Sequence, residues 1–314
     1  MNCIFLLLLL ICNIATTNTE LVFASIGDWG SYTLGEPYST NQIQVSNAMA
    51  MRCEIDSCAF ILNCGDNFYS YGVNSVNDPL WKSDYENIYH QQSLLIPWYN
   101  VLGNHDYGRN PEAQIQYKSV GDRWKFPSRY YNWTQYINGA PGINFIMLDT
   151  SPCINDYWKL SNKTWDPKNI EFHKNIIQEN CYDQSLWLEE TLNYYDSPII
   201  IVGHHPIYEL NNISFDNIIK KKENKILTGV FGHDHVLQHF TLKNIDIEFF
   251  ISGAGSRVMH RHNTELKKNI IYMNYTNGFI IHTYNENHKT LMNEFYDYDG
   301  NKIYNFSLTT NSDL

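Results

Sequence analysis

The chain has 314 residues, of which 22 are basic and 33 acidic, so its formal net charge is −11. This charge argues against a nucleic-acid-binding protein, which would need basic stripes on its surface. Hydrophobic residues make up 43% of the chain, enough to bury the core of one large domain. Since no Pro-rich or Ser-rich linker divides the sequence, we expect a single domain over residues 19–314.

The first 18 residues are predicted to be a signal peptide. An apolar run, Ile4–Ile11, precedes the polar sequence CNIATTNT, a pattern typical of a cleaved secretory leader. The run is short for a membrane span, and a retained signal anchor is the alternative. We therefore expect a monomer in the secretory pathway, either secreted or in a vacuolar or lysosome-like compartment, with no stable membrane span after cleavage.

Five apolar runs are each followed by a short motif that places glycine beside acidic, amide or histidine side chains. The runs are LVFASI, AFILNC, PWYNVL, PIIIV and ILTGVF, and the motifs are GDWG (Gly27–Gly30), GDNFY (Gly65–Tyr69), GNHD (Gly103–Asp106), GHH (Gly203–His205) and GHDH (Gly232–His235). Short apolar runs predict buried strands. Residues at the carboxyl ends of parallel strands face the crevice in which α/β proteins bind ligands. The five motifs are therefore expected to converge on one site.

The remaining elements alternate between helix and strand, which favours an α/β fold. Helices are predicted over Thr40–Asp56 and Asp183–Tyr195, and later strands over Ile245–Ile251, Gly278–Tyr284 and Thr290–Tyr298. The ligand-bearing halves, roughly 20–150 and 196–300, suggest a sandwich of two sheets. Between them, the polar and Asn-rich segment Ser151–Asn180 is expected to be irregular.

The five motifs contain two kinds of metal ligand. The oxygen donors are Asp28, Asp66, Tyr69 and Asn104, and the imidazoles are His204, His233 and His235. Hard oxygens mixed with imidazole suit Fe, Mn or Zn, and a phenolate favours a trivalent ion. A single Gly-Asp is usually a turn. Five motifs in order, each after a predicted strand, instead predict a binuclear metal site.

With these residues identified, the chain resembles the calcineurin-like metallophosphoesterases, and among them the small, tartrate-resistant mammalian type of purple acid phosphatase. The resemblance runs from about Leu21 to Tyr296 and includes WYNVLGNHDYGRNPEAQIQY, RWKFPSRYY, FIMLDT, GHDHVLQHF and SGAGS. Tyr69 is the discriminating residue, because other metallophosphoesterases share the GD and GNH motifs but lack this tyrosine. The resemblance implies a four-layer α-β-β-α sandwich of two mixed sheets flanked by helices, forming one metallophosphoesterase catalytic domain.

The resemblance also implies a role for each donor. It assigns Asp28, Tyr69 and His235 to Fe(III), assigns Asn104, His204 and His233 to a divalent Fe, Zn or Mn ion, and makes Asp66 the bridge. The charges agree, because the trivalent site collects two anionic ligands while the divalent site has a neutral amide and two imidazoles. Asn104 and His105 are expected to bind substrate, and His105 to be the catalytic side chain.

The implied activity is that of an acid phosphatase. It would hydrolyse phosphate monoesters, and nucleotide anhydrides as well, with a metal-bound hydroxide as nucleophile. Its substrates would be phosphorylated small molecules or phosphoproteins. Two alternatives stay open: a metallophosphoesterase acting on phosphodiesters or nucleotides, and a family member of low activity that serves as a binding or anchoring protein. The complete ligand set speaks against the second.

One position departs from the family pattern. The mammalian-type enzymes carry a second outer-shell histidine nine residues after the counterpart of His204, and here that residue is Ile213. General acid assistance to a leaving group is typically worth about 10²–10⁴-fold. His105 is expected to supply it alone, unless His205 or Glu209 reaches the site.

Cysteines and glycosylation sequons agree with a secretory protein. Cys3 and Cys12 belong to the predicted signal peptide, and Cys64 is expected to be a buried thiol. The other cysteines pair most simply as Cys53–Cys58 and Cys153–Cys181, although sequence does not determine the connectivity. Possible N-linked glycans are predicted at the sequons that begin at Asn132, Asn162, Asn212, Asn274 and Asn305.

Overall fold

The structure, a computed structural model, describes residues 19–30, 37–159, 167–196, 198–211, 213, 215–259 and 268–309. The predicted signal peptide lies outside these residues, as do Asn162 and Asn212 of the sequons. In the described part of the chain, no helix is both long enough and apolar enough to cross a membrane.

The described chain forms fourteen strands and five α-helices, and the last seven strands follow one another without a helix between them. The strands are β1 (Glu20–Ile26), β2 (Ile61–Asn63), β3 (Trp98–Asn100), β4 (Trp124–Lys125), β5 (Tyr131–Ile137), β6 (Ala140–Met147), β7 (Ile199–Val202), β8 (Ile226–Phe231), β9 (Leu237–Leu242), β10 (Ile245–Ser252), β11 (Lys268–Asn274), β12 (Gly278–Asn285), β13 (Thr290–Asp297) and β14 (Lys302–Thr309). The helices are α1 (Pro37–Asp56), α2 (Glu112–Gln116), α3 (Pro167–Ile177), α4 (Cys181–Tyr194) and α5 (Phe215–Lys220).

The strands form two mixed sheets of seven strands each. The first sheet has the order β14-β13-β12-β1-β2-β3-β4, and the second has the order β11-β9-β10-β8-β7-β6-β5. Strands β1 to β4 are parallel in the first sheet, and β6, β7, β8 and β10 are parallel in the second. Antiparallel strands extend both sheets, which confirms the predicted architecture of two mixed sheets.

The two sheets pack face to face, with helices on their outer faces. Phe23 of β1 meets Phe145 of β6 edge to face, with ring centroids 5.4 Å apart. Helix α1 packs against β1 and β12, and α5 packs against β10. The sheets do not follow the two halves of the chain, because β12 to β14 return to the first sheet while β5 and β6 begin the second.

The predicted irregular segment Ser151–Asn180 is partly wrong, because it contains helix α3. Pro167 occupies the first helical position, where its missing N–H costs nothing. Phe172 and Ile176 lie four residues apart on one face and pack against the core. These two residues give α3 its buried face.

Both predicted disulfides are present. Cys53–Cys58 closes the end of α1, and Cys153–Cys181 ties the chain after β6 to the start of α4. Cys64 is a buried free thiol, as expected.

Candidate metal centre

The two sheets contribute different kinds of donor to one cluster. Every oxygen donor follows a strand of the first sheet, and every imidazole follows a strand of the second. Asp28 follows β1, Asp66 and Tyr69 follow β2, Asn104 follows β3, His204 follows β7, and His233 and His235 follow β8. The structure brings all seven predicted ligands together at the carboxyl ends of these parallel strands, where α/β folds place their sites.

Four donors surround one half of the cluster. The phenol oxygen of Tyr69 lies 3.1 Å from Asp28 Oδ1, 3.1 Å from Asp66 Oδ2 and 3.2 Å from His235 Nε2. His235 Nε2 is 3.3 Å from Asp28 Oδ1. Donors bonded to one ion at about 2.0–2.2 Å, with angles between octahedral and tetrahedral, lie roughly 2.8–3.6 Å apart. The spacing therefore fits a common ion.

The other half repeats this spacing around His204. Its Nε2 lies 3.2 Å from Asn104 Oδ1, 3.3 Å from His233 Nδ1 and 3.4 Å from Asp66 Oδ2. Asp66 Oδ2 thus belongs to both sets of donors. A carboxylate shared in this way is suited to bridge two ions.

Burial makes the cluster an unfavourable place for anions unless cations accompany them. Burial raises the pKa of Asp28 well above its ordinary value. Burial also acts to raise the pKa of Asp66, but the field of His204 and His105 outweighs it and lowers that pKa. Burial acts to lower the pKa of His204, yet Asp66 and Asp28 raise it to about 9. Metal cations would take over the compensating role of the His204 proton, so the residues fit a metal centre.

Three of the seven donors have left-handed backbone. The φ angles of Asp28, Asp66 and His233 are 56°, 51° and 67°. Such residues typically cost about 1–3 kcal/mol each and persist where the surroundings hold them. The N–H of Asp28 donates to the Gly65 carbonyl, and that of His233 donates to Asp28 Oδ2, both at 2.9 Å. The ligand loops thus hold one another in place.

Glycine flanks the ligands because the loops approach very closely. A β-carbon on Gly103 would collide with the Asp66 carboxylate, and one on Gly232 would lie 2.6 Å from Asp28 Oδ2. No larger residue fits there without displacing a ligand. The glycines of the GNHD and GHDH motifs therefore allow the ligand loops to pack closely at the site.

Outer contacts orient the ligands. His204 Nδ1 donates to the Cys64 carbonyl at 2.9 Å, which leaves the Nε2 lone pair directed at the cluster. The carboxylate of Asp106 accepts the N–H groups of Gly103 at 2.8 Å, Asn67 at 3.1 Å and Phe68 at 3.1 Å. It ties the GDNFY and GNHD loops together. Sequence reasoning missed this role although Asp106 closes the GNHD motif.

His105 lies at the rim of the cluster, with 32% of its side chain exposed. Its N–H donates to Asp66 Oδ1 at 2.8 Å, and its Nδ1 donates to the Ser70 carbonyl at 2.6 Å. The Nε2 atom therefore faces the cluster, 3.9 Å from Asp66 Oδ2. A substrate at the exposed side would meet this nitrogen.

His205 and Glu209 make different contacts. His205 is fully buried, with Nδ1 2.9 Å from the Thr150 hydroxyl and Nε2 3.0 Å from the Tyr157 hydroxyl. Glu209 Oε2 instead lies 3.4 Å from His233 Nε2, where it supports a ligand. The contacts of Thr150 and Tyr157 with His205 were not predicted from the sequence. The only sequence signal for them was the position of Thr150 just after an apolar run. Ile213 packs against the apolar core of the second sheet.

The calcineurin-like phosphoesterase family profile matches residues 21–237. Tartrate-resistant acid phosphatase type 5 of Oryctolagus cuniculus is 31% identical over 246 residues, covering 75% of this chain and 73% of that protein. Purple acid phosphatase 7 of Arabidopsis thaliana is 29% identical over 302 residues, covering 93% of this chain and 87% of that protein.

A solved structure shares the fold. GAP50, the anchor in the inner membrane complex of Plasmodium, aligns with a TM-score of 0.69 at 23% identity, over 93% of this chain and 90% of that one. At this identity the likeness shows the fold alone. The family match and the similarity to acid phosphatases show more: the chain belongs to the calcineurin-like phosphoesterases, within them to the purple acid phosphatases, and is a metal-dependent phosphoesterase.

Proposed function

We propose that the protein is an acid phosphatase that hydrolyses phosphate monoesters at a binuclear Fe(III)–M(II) centre. The observation that carries the proposal is the pair of donor sets that share Asp66 Oδ2, with neighbouring donors 3.1–3.4 Å apart. Asp28, Tyr69 and His235 would hold the trivalent ion. Asn104, His204 and His233 would hold a divalent Fe, Zn or Mn ion.

Charge supports this division. The Tyr69 set places a carboxylate and a phenolate around one position, in addition to the shared Asp66. The His204 set adds a neutral amide and two imidazoles to Asp66. A hard anionic environment favours the higher charge, and imidazole suits divalent Fe or Zn.

Bound there, the two ions would supply neutralisation of the phosphate charge and a nucleophile derived from water. Asn104 and His105 would contact the phosphate group at the exposed side. His105 Nδ1 donates to the Ser70 carbonyl at 2.6 Å, so Nε2 is the nitrogen that faces the substrate. A proton on Nε2 could pass to the leaving oxygen. Such assistance typically contributes about 10²–10⁴-fold. The reaction needs no side-chain nucleophile and hence no phosphoenzyme.

The substrates would be phosphorylated small molecules or phosphoproteins, with nucleotide anhydrides as further substrates. The two disulfides support an oxidising compartment. Together with the predicted signal peptide, they support a secreted or vacuolar enzyme. We propose that it is a monomer with its catalytic domain over residues 19–314.

The proposal is tested by hydrolysis of matched aryl phosphate monoesters and diesters across acid and neutral pH. We expect hydrolysis of the monoester at acid pH. This activity should be lost when the metal ions are chelated and restored by iron plus a divalent ion. His105→Ala should slow turnover, while His90→Ala, which removes an exposed histidine whose Nδ1 contacts the Asn87 carbonyl, should not. Preference for the diester would overturn the monoester assignment. Metal-loaded protein without hydrolysis would favour the anchoring alternative.

A further inference from the structure

Helix α3 packs against the turn that contains His105. This turn, His105–Gly108, is a short 3-10 helix that begins directly after Asn104. The last carbonyl groups of a helical turn have no partner within it. The side chain of Asn175 on α3 supplies one, because its Nδ2 atom donates to the Tyr107 carbonyl at 2.8 Å and to the Arg109 carbonyl at 2.6 Å. A single amide thus holds the end of the turn.

This contact requires the amide of an asparagine at position 175. The amide nitrogen carries two protons, so it can donate to two carbonyl groups at once. Both partners are acceptors, and the NH₂ group rather than the amide oxygen must therefore face them. An aspartate has the same shape, but its carboxylate has no proton to donate.

Tyr107 is also held at the other end of its side chain. Its hydroxyl donates to the Asp149 carboxylate and accepts a hydrogen bond from Arg129 Nη1 at 2.9 Å. The ring is fully buried and meets Phe172 of α3 edge to face, with ring centroids 6.4 Å apart. Because the hydroxyl, the ring and the carbonyl are all in contact, Tyr107 transmits the position of α3 to the turn.

Helix α3 is suited to support this turn. Ile176, the residue after Asn175, is fully buried in the core. The Cys153–Cys181 disulfide closes the segment of chain that contains α3. The support is thus fixed to the body of the domain, and Asn175 itself is only half-buried.

His105 lies between two fixed points. The Asp106 carboxylate accepts the N–H of Gly103 at 2.8 Å, two residues before His105, and Asn175 binds the Tyr107 carbonyl, two residues after it. We propose that Asn175 is a positioning residue for hydrolysis, which keeps His105 Nε2 at the exposed side of the metal centre. The inference rests on the proposed function, in which His105 contacts the substrate. A misplacement of about 1 Å in such a group can cost about 10²-fold in rate.

The test compares Asn175→Ala and Asn175→Asp with Asn193→Ala, which changes an exposed asparagine on α4 as a control. For an alkyl phosphate, we expect kcat of both Asn175 variants to fall about 10-fold to 100-fold, with unchanged metal content. The loss should be smaller for an aryl phosphate, whose leaving oxygen needs less help from an acid. The control should behave like the wild type. Urea unfolding identifies variants that fold, and Asn175→Asp keeps the size of the side chain if Asn175→Ala does not fold.

A double-mutant cycle shows whether Asn175 acts through His105. In a His105→Ala background, replacing Asn175 with alanine should cause no further loss of kcat. An equal loss in both backgrounds would show a merely structural role and overturn the proposal. Loss of metal from the Asn175 variants would place the effect on Asn104 instead and would also overturn it.

Binding of inorganic phosphate to the metal-loaded protein, measured by calorimetry, separates this inference from the proposed function. Asn175→Ala and Asn175→Asp should weaken phosphate binding several-fold, whether or not the wild type hydrolyses monoesters. Wild-type protein that binds phosphate without hydrolysis would refute the proposed function alone. Unchanged kcat and phosphate affinity in the Asn175 variants of an active enzyme would refute the positioning role alone. Wild-type protein that neither hydrolyses monoesters nor binds phosphate would overturn both.

Discussion

Two clusters centred on histidine lie beside strand β1, and they differ in what they can do. One is the metal centre around His204. The other joins Ser25, His282 and Asn293, with the Ser25 hydroxyl 2.9 Å from His282 Nε2 and Asn293 Oδ1 2.7 Å from His282 Nδ1. The second cluster has the order of a catalytic serine–histidine–asparagine triad. All three of its residues are fully buried.

Charge and access separate the two clusters. Burial lowers the pKa of His282 to about 4, so the triad is neutral near pH 7. Its histidine lies flat against Phe23, with ring centroids 4.8 Å apart. The metal centre instead concentrates two buried carboxylates and opens at His105. Hydrogen-bond geometry alone therefore does not make a catalytic site, whereas buried carboxylates and histidines with shifted pKa values beside an accessible position indicate one.

The largest expected effect comes from removing a donor. Asp66→Asn removes the shared anion, and His204→Ala removes the central imidazole of the second donor set. Loss of an outer partner already costs about 10–100-fold, so we expect these ligand variants to lose more than 100-fold in activity. Metal content and turnover measure this, with Asp216→Asn on the exposed face of α5 as control. Full turnover at limiting metal would refute the ligand assignment.

Variants of the Ser25–His282–Asn293 triad should lose stability but keep their turnover. His282→Ala leaves a cavity in the core and should lower the free energy of unfolding by about 2–5 kcal/mol. Turnover per bound metal should stay unchanged, and Ser25→Ala should also keep full activity. Urea unfolding and kinetics on the same samples measure both effects. Lost activity in Ser25→Ala without a change in metal content would make the triad catalytic.

The pH dependence of stability sharpens the same contrast. The pKa of His282 is about 4 in the folded protein and about 6.5 when unfolded. Above about pH 6.5, His282 is neutral in both the folded and the unfolded protein, so its contribution to the free energy of unfolding is complete. As the pH falls from about 6.5 to about 4, only the unfolded chain takes up the proton, and about 3 kcal/mol of stability is lost. His282→Gln should remove this part of the pH dependence in urea unfolding. An unchanged slope would contradict the assignment.

A smaller effect is expected from Glu209, which supports a ligand from outside. Glu209→Gln should weaken metal binding at the His204 set by about 10–100-fold. Competition with a chromophoric chelator measures this, with the exposed Glu190→Gln on α4 as control. Equal affinities of both variants for the metal would show that Glu209 does not support His233.

Much of the site was predictable because each ligand sits in a short motif directly after an apolar run. Asp28 and His233 are examples, since glycine and a strand precede both. The contacts that support the ligands were not predictable. The bond of His204 to the Cys64 carbonyl joins residues 140 positions apart, and only the fold shows it. His205 was expected to be able to replace the missing acid; in the structure its ring nitrogens lie against the Thr150 and Tyr157 hydroxyls, and a ring nitrogen lies within 4.8 Å of donor atoms of His204 and His233.

The fold, like the site, was predictable in part from the sequence. The runs that became β1, β7 and β8 are continuous and apolar, so their positions followed from sequence. The return of β12 to β14 to the first sheet depends on pairing between β1 and β12, which are more than 250 residues apart. Helix α3 was missed because only Phe172 and Ile176 mark its buried face.

We have proposed that Tyr69 and its neighbours hold Fe(III) in a binuclear site. The most direct test measures metal content and the visible absorption spectrum of the purified protein and of Tyr69→Phe. We predict two metal ions per chain, one of them iron, and a visible charge-transfer band from the Tyr69 phenolate that disappears in Tyr69→Phe. An active, colourless wild-type protein without iron would contradict the Fe(III) assignment.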